Sequence, residues 1–269
     1  MSETLNIKHK SLFNEILILI KYRLSFSVVL SSVASYLLAF EMFSLSTFII
    51  LIIGGFLVVG SSNGFNQIIE RERDSLMSRT LNRPLPSGNM SIYQAIIICS
   101  ILGLIGLVML YAINFRTAFF GFVSMIIYLA VYTPLKPITP LSVFFGAIPG
   151  AIPFMLGWVA VTNKFSIETG ILFMIQFFWQ FPHFWAIGWV SHDDYKRAGF
   201  KMLPTGKRDN STAFQIVFYT IWMILVSTLP YFGFTGKFTI GLPSLILILV
   251  AGIFMLIQAI RLMQYKDNQ

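Results

Sequence analysis

Of the 269 residues 56% are apolar and only 11% are charged, with a mean hydropathy of +0.77, which leaves too little polar surface for a soluble globule. The net charge of +8 has a better explanation in membrane topology than in nucleic acid, and the single Cys99 excludes both disulfides and a thiolate zinc site. Runs of about twenty apolar residues recur, the length that a hydrocarbon core roughly 30 Å thick requires, so the chain reads as one all-α, polytopic membrane domain spanning 1–269.

Residues 1–11 are polar and are expected at the interface; they lack the charged start, apolar core and small-residue cleavage pattern of a signal peptide. Eight spans are expected: Leu24–Phe40, Ser46–Phe65, Tyr93–Ala112, Ala118–Tyr132, Leu141–Val161, Ile167–Val190, Thr212–Tyr231 and Ile240–Ile260. Leu12–Ile20 is also apolar and fits either an extension of the first span or a segment on the surface. No soluble domain or long linker fits in the remainder. His9, His183 and His192 are too scattered to form a histidine metal cluster.

This span count sorts the basic residues by side. Lys8, Lys10, Lys21, Arg23, Arg71, Arg73, Arg79, Arg83, Lys136, Lys196, Arg197, Lys201, Lys207, Arg208, Arg261 and Lys266 fall on one face, and only Arg116, Lys164 and Lys237 on the other. The positive-inside rule then places the termini and the even-numbered loops in the cytoplasm of a cell (inner) membrane protein.

The stretch Asn63–Gly88, NGFNQIIERERDSLMSRTLNRPLPSG, starts inside the second span and holds three of the eleven acidic residues. On a helix Asn63, Asn66, Glu70 and Asp74 are three, four and four residues apart and share one face. Such a strip of amide and carboxylate oxygens suits Mg²⁺ carrying a phosphorylated substrate; a solvated helix end with ion pairs is the plainer alternative. A proline-stiffened turn, Tyr132–Pro140, follows on the same side and presents Lys136, which also fits a headgroup anchor. Gly146–Trp158, GAIPGAIPFMLGW, supplies small residues for close helix approach and prolines for bends.

A second polar region runs from Gln176 to Pro204. Gln176, Gln180 and His183 form a stripe within the sixth span, where polar groups normally face a cavity or a partner helix, and Pro182 is expected to kink the helix. Asp193 and Asp194 follow at the membrane exit. A straight helix would put His183 and Asp194 on one face about 16 Å apart.

These residues carry a resemblance. Asn66–Asp74 with Met77, Arg79-Thr80, Arg83-Pro84-Leu85 and Gly88 is similar to the first signature of the UbiA-type intramembrane prenyltransferases, and within them to the protohaem IX farnesyltransferase (haem O synthase) family. The match continues through Tyr132-Thr133, Lys136, Gly150-Ala151, Pro153, Gly157-Trp158, Pro182-His183-Phe184, Asp193-Asp194-Tyr195, Ala198-Gly199 and Met202-Leu203-Pro204. It implies two four-helix halves around a central cavity, capped by both acidic loops. Glu70 stands where the superfamily has Asp, Tyr22 where the family often has proline, and the family usually has nine spans rather than eight.

The resemblance implies an Mg²⁺-dependent prenyltransferase that uses farnesyl diphosphate and a vinyl group of haem b to make haem O. Asn66, Glu70, Asp74, Asp193 and Asp194 would serve the metal, Arg73, Arg79, Lys136 and Lys196 the diphosphate, and His183 the haem or the helix packing. Partners would be the lipid bilayer and haem A synthase or oxidase-assembly proteins, and not nucleic acid. A prenyltransferase acting on an aromatic quinone precursor, a transporter and a non-catalytic assembly factor remain as other readings; the last two need no paired acidic loops.

Overall fold

The computed structural model describes residues 11–39 and 43–265. Residues 1–10 with Lys8 and Lys10, the expected end of the first span at Phe40, and Lys266 lie outside these. The described residues form helices and no strand: α1 (Leu12–Leu19), α2 (Tyr22–Ala39), α3 (Leu45–Asp74), α4 (Ile92–Ile113), α5 (Phe115–Ile126), a π-helical turn (Ile127–Tyr132), α6 (Thr133–Leu135), α7 (Ser142–Thr162), α8 (Ile167–Val190), α9 (His192–Arg197), α10 (Asn210–Thr228) and α11 (Leu242–Tyr265).

Polar punctuation sets the helix starts. Ser44 accepts from the Thr47 N–H, Asn114 from that of Thr117, and Ser91 and Gln94 form a reciprocal capping box. Leu12–Leu19 forms a helix of its own ahead of the first span rather than an extension of it. Lys21 takes a left-handed conformation (φ 47°) that ends α1, and the Gln67 amide donates to the Ile18 and Leu19 carbonyls, which docks α1 on α3.

Seven segments are long and apolar enough to cross a membrane: α2, α3, α4, the continuous Phe115–Leu135, α7, Asn210–Phe232 and Leu242–Gln264. The eighth expected span is present as the 24-residue α8, packed between α7 and α10, but Gln176, Gln180, His183 and its tryptophans lower its hydropathy. Of these, Gln180 is buried and donates to the Gly150 carbonyl of α7 at 3.4 Å.

Each long helix packs on the next in the chain, and α7 joins the halves by touching α2 and α5 on one side and α8 on the other. Small residues permit this. A Cβ on Gly157 would lie 2.0 Å from the Ser32 carbonyl oxygen, so α2 and α7 meet backbone to backbone there. Pro153 cannot donate to the Pro149 carbonyl one turn earlier, and the Ser124 hydroxyl from α5 takes that role at 3.2 Å. The helix α8 continues through Pro182 and ends at Ser191 (φ −94°, ψ 19°) before α9 begins, so the straight path from His183 to Asp194 does not form.

The two ends of the bundle differ in charge. Arg116 donates to Asn163 at one end, where the Glu168 carboxylate also receives the Lys237 N–H. Lys164 follows Asn163 at that same end, and the acidic loops lie at the opposite end with the basic residues that flank them.

Candidate active site

At 1.5 Å per residue the 30 residues of α3 extend about 45 Å, longer than a hydrocarbon core of roughly 30 Å. Its last turns therefore carry the polar stripe out to the bundle end, and the stripe is buried by protein: Asn63, Asn66, Glu70 and Asp74 are each at most 5% exposed.

Cations and hydroxyls meet every member. Asn63 donates to the Ser25 hydroxyl at 3.1 Å and accepts from the Tyr128 hydroxyl at 3.4 Å. Asn66 donates to the Thr133 hydroxyl at 3.1 Å, while its oxygen accepts from Lys21 Nζ at 3.1 Å. Lys136 Nζ lies 2.8 Å from Glu70 Oε1 and 3.1 Å from Oε2, and only the contact with Oε2 has hydrogen-bond geometry. Arg83 reaches Asp74 Oδ2 at 2.6 Å.

Electrostatics follow from this crowding. Burial, then the positive charges of Arg83 and Lys136, push the Lys21 ammonium down to about 7. Burial also works against the Lys136 ammonium, but the Glu70 carboxylate and its other neighbours outweigh it and hold its pKa above the ordinary lysine value.

The second acidic loop is lashed to this end of α3. Ser78 donates to both Asp194 oxygens at 3.0 and 3.1 Å, Arg79 donates to the Tyr195 hydroxyl at 3.2 Å, and Arg73 donates to the Ala198 carbonyl at 3.0 Å. Lys136 completes the junction, with Nζ 4.5 Å from the Tyr132 ring centre and 5.6 Å from that of Phe200.

The expected residues thus divide. Asn66, Glu70, Asp74 and Lys136 converge in one buried cluster. Asp194 is bound by Ser78 in the loop after α3 and pairs with Arg197. Asp193 is exposed and contacts Arg208 at 3.4 Å. Arg73 and Arg79 hold the α9 loop, and Lys196 is exposed on α9. His183 contacts no carboxylate; its ring stacks on Trp179 at 4.4 Å and neighbours Phe184, whose ring meets Tyr132 at 6.1 Å.

Three participants were not singled out by sequence reasoning. Arg83 was visible only as part of its Arg-Pro-Leu motif, Lys21 only in the charge count, and Thr133 only beside Tyr132.

Among the described residues no three His, Cys, Asp or Glu side chains form a ready metal cage. The donor set fits Mg²⁺ delivered with a diphosphate instead. Asp74 Oδ1 is buried without a hydrogen-bond partner, and Mg²⁺ commonly takes one or two carboxylates and fills its remaining positions with phosphate oxygens and water.

The UbiA prenyltransferase family profile matches residues 28–269. The protoheme IX farnesyltransferase of Flavobacterium psychrophilum is 55% identical over 263 residues, covering 97% of this chain and 88% of that protein. The protoheme IX farnesyltransferase of Christiangramia forsetii is 59% identical over 249 residues, covering 93% and 83%. Among solved structures, a digeranylgeranylglyceryl phosphate synthase superposes with a TM-score of 0.77 at 21% identity, over 95% of this chain and 89% of that one. A UbiA homologue from Archaeoglobus fulgidus bound to DMAPP and Mg²⁺ gives 0.71 at 14% identity, over 93% and 85%. At such identities the structural likeness bears on the fold, while the profile and the sequence relatives bear on descent: this chain belongs to the UbiA prenyltransferase family.

Proposed function

We infer that the protein transfers the farnesyl group of farnesyl diphosphate to a vinyl group of haem b, giving haem O and diphosphate. The observation that carries this reading is the buried stripe Asn66–Glu70–Asp74 with Lys21, Lys136 and Arg83 against it, in a chain whose relatives at more than 50% identity are named for that reaction.

Lys136, Arg83 and Lys21 meet the diphosphate, and Arg73, Arg79 and Lys196 reinforce the positive field from the loops. These charges stabilise the developing pyrophosphate as the allylic C–O bond breaks and the electron pair leaves with oxygen. Asn66, Glu70, Asp74 and Asp194 would hold Mg²⁺, with Asp193 joining on release of its long Arg208 contact; the ion supplies further neutralisation of the leaving group.

Tyr128, Tyr132 and Phe184 form a connected aromatic run beside the polar stripe, with ring centres 5.3 and 6.1 Å apart. They stabilise the farnesyl cation and exclude water until the haem vinyl carbon attacks. Addition of water to the resulting carbocation, with loss of a proton, completes the hydroxyethylfarnesyl group. His183 in the neighbouring aromatic layer contacts the porphyrin.

The charge partition supports a cytoplasmic position for the site loops of a cell-membrane protein, where haem A synthase or oxidase-assembly partners could reach them. The test is mass spectrometry of pigments after membranes containing the protein are incubated with haem b, farnesyl diphosphate and Mg²⁺. Haem O is expected, and EDTA should abolish it. Unchanged haem beside a prenylated quinone precursor would overturn the acceptor.

A further inference from the structure

The polar stripe of α3 is matched rung by rung by the segment that faces it. Asn63 meets Tyr128, Asn66 meets Thr133 and Glu70 meets Lys136, at 3.4, 3.1 and 2.8 Å. The spacings do not agree: α3 uses steps of three and four residues, whereas its partner uses five and three. Five residues on an α-helix end up about 140° apart and would point to different neighbours. The π-helical turn Ile127–Tyr132 removes the conflict, because its bonds run from residue i to i+5 and bring Tyr128 and Thr133 onto one face.

Thr133 closes that turn twice. Its N–H bonds the Tyr128 carbonyl, and its hydroxyl donates to the same oxygen at 2.8 Å. A threonine hydroxyl has one proton. With that proton committed to Tyr128, the oxygen can only accept from Asn66, so Asn66 must turn its NH₂ group toward Thr133. On the other side the charged form of Lys21 has only protons to offer and takes the amide oxygen. Both neighbours select the same one of the two amide orientations.

We propose that Thr133 is a positioning residue that fixes the Asn66 amide with its oxygen facing the diphosphate and cation site. The extra residue of the π-helical turn is what brings Thr133 to that place. This rests on the functional reading above but goes beyond it, since Thr133 acts through Asn66 and need not touch substrate. A hydroxyl bonding back to its own helix is otherwise only a local backbone contact, and that role would leave ligand affinity unchanged.

The full chain in detergent is titrated calorimetrically with farnesyl thiodiphosphate and Mg²⁺, with Tm recorded for each variant. Thr133→Ser keeps the hydroxyl and should bind within about twofold of the parent. Thr133→Val keeps the shape but not the acceptor, and should weaken binding about five- to tenfold, the size of one lost hydrogen bond, at a nearly unchanged Tm. Deleting Ala130 removes the extra residue and should weaken binding at least as much. Parent-like affinity in folded Thr133→Val, or in the Ala130 deletion, overturns the proposal. Loss of binding in Thr133→Ser equal to that of the valine variant does so too. A parent protein that fails to bind the thiodiphosphate fails the functional reading instead.

Discussion

Lys136 Nζ sits 2.8 Å from Glu70 Oε1 with the two side chains only 10% and 7% exposed. The pair bridges the end of α3 and the turn after α6, so each charge compensates the other where water is scarce. Removing one partner strands a buried charge, at a cost of about 3–5 kcal/mol, whereas replacing both costs far less. Lys136→Met should therefore lower Tm strongly, and adding Glu70→Gln should restore most of it without restoring turnover. Equal Tm values for the single variant and the parent would show that the pair carries no such charge compensation.

The carboxylates should rank by their place in the cluster. Asp74→Asn is expected to cost roughly 10²-fold or more in turnover while the protein still folds, since its buried Oδ1 has no hydrogen-bond partner and is free to accept a new one. Glu70→Asp keeps the charge and should retain measurable activity. Asp194→Asn should cost more than Asp193→Asn, because Asp194 is held by Ser78 in the loop after α3 and Asp193 is exposed. Steady-state rates for the four variants decide this, and parent-like turnover in Asp74→Asn would refute the metal role.

At Gly157 the prediction is steric. An added Cβ would meet the Ser32 carbonyl oxygen at 2.0 Å and the Ser35 hydroxyl at 2.3 Å, so Gly157→Ala must push α2 from α7. Overpacking of this kind costs about 1–3 kcal/mol or more, read as a Tm several degrees lower; an unchanged Tm would mean that the helices separate freely.

Asp209 gives a pH signature. As the cap of α10 it accepts from the Thr212 N–H at 2.8 Å, and chiefly that bond holds its carboxyl below the ordinary value. Because the folded pKa is the lower one, the stabilisation is complete above the unfolded carboxylate pKa of about 4 and vanishes as pH falls through the folded value. Asp209→Ala should cost about 1 kcal/mol at pH 7, and the Tm difference from the parent should close in acid. A pH-independent gap would assign the loss to something other than the charged cap.

Much of this arrangement is legible in the residues themselves. Apolar run lengths mark the spans, and the spacing of Asn63, Asn66, Glu70 and Asp74 marks one helical face, because both depend on local periodicity. The pairings across the stripe are not local. Nothing near Arg83 says that it reaches Asp74, and nothing near Lys21 announces its left-handed turn. The π-helical turn is hidden for a different reason. One additional residue in the apolar run around Ile127–Tyr132 leaves no mark in hydropathy, although it rotates everything that follows. The break at Ser191 is equally silent, since Ser191 and His192 are acceptable within a helix and only the packing of α9 against the α3 loop requires them to turn.

In the proposed reaction the two internal ion pairs, Lys136–Glu70 and Arg83–Asp74, would also set how ligands load. Each carboxylate already holds a counterion, so the bare cluster exerts little pull on a lone divalent cation or a lone anion. A cation arriving with a diphosphate would let both pairs exchange partners at once, carboxylates toward the cation and ammonium and guanidinium toward phosphate, with no charge left stranded. Joint loading is therefore the expected order, and heat in a calorimetric titration with magnesium chloride should appear only when diphosphate is also present.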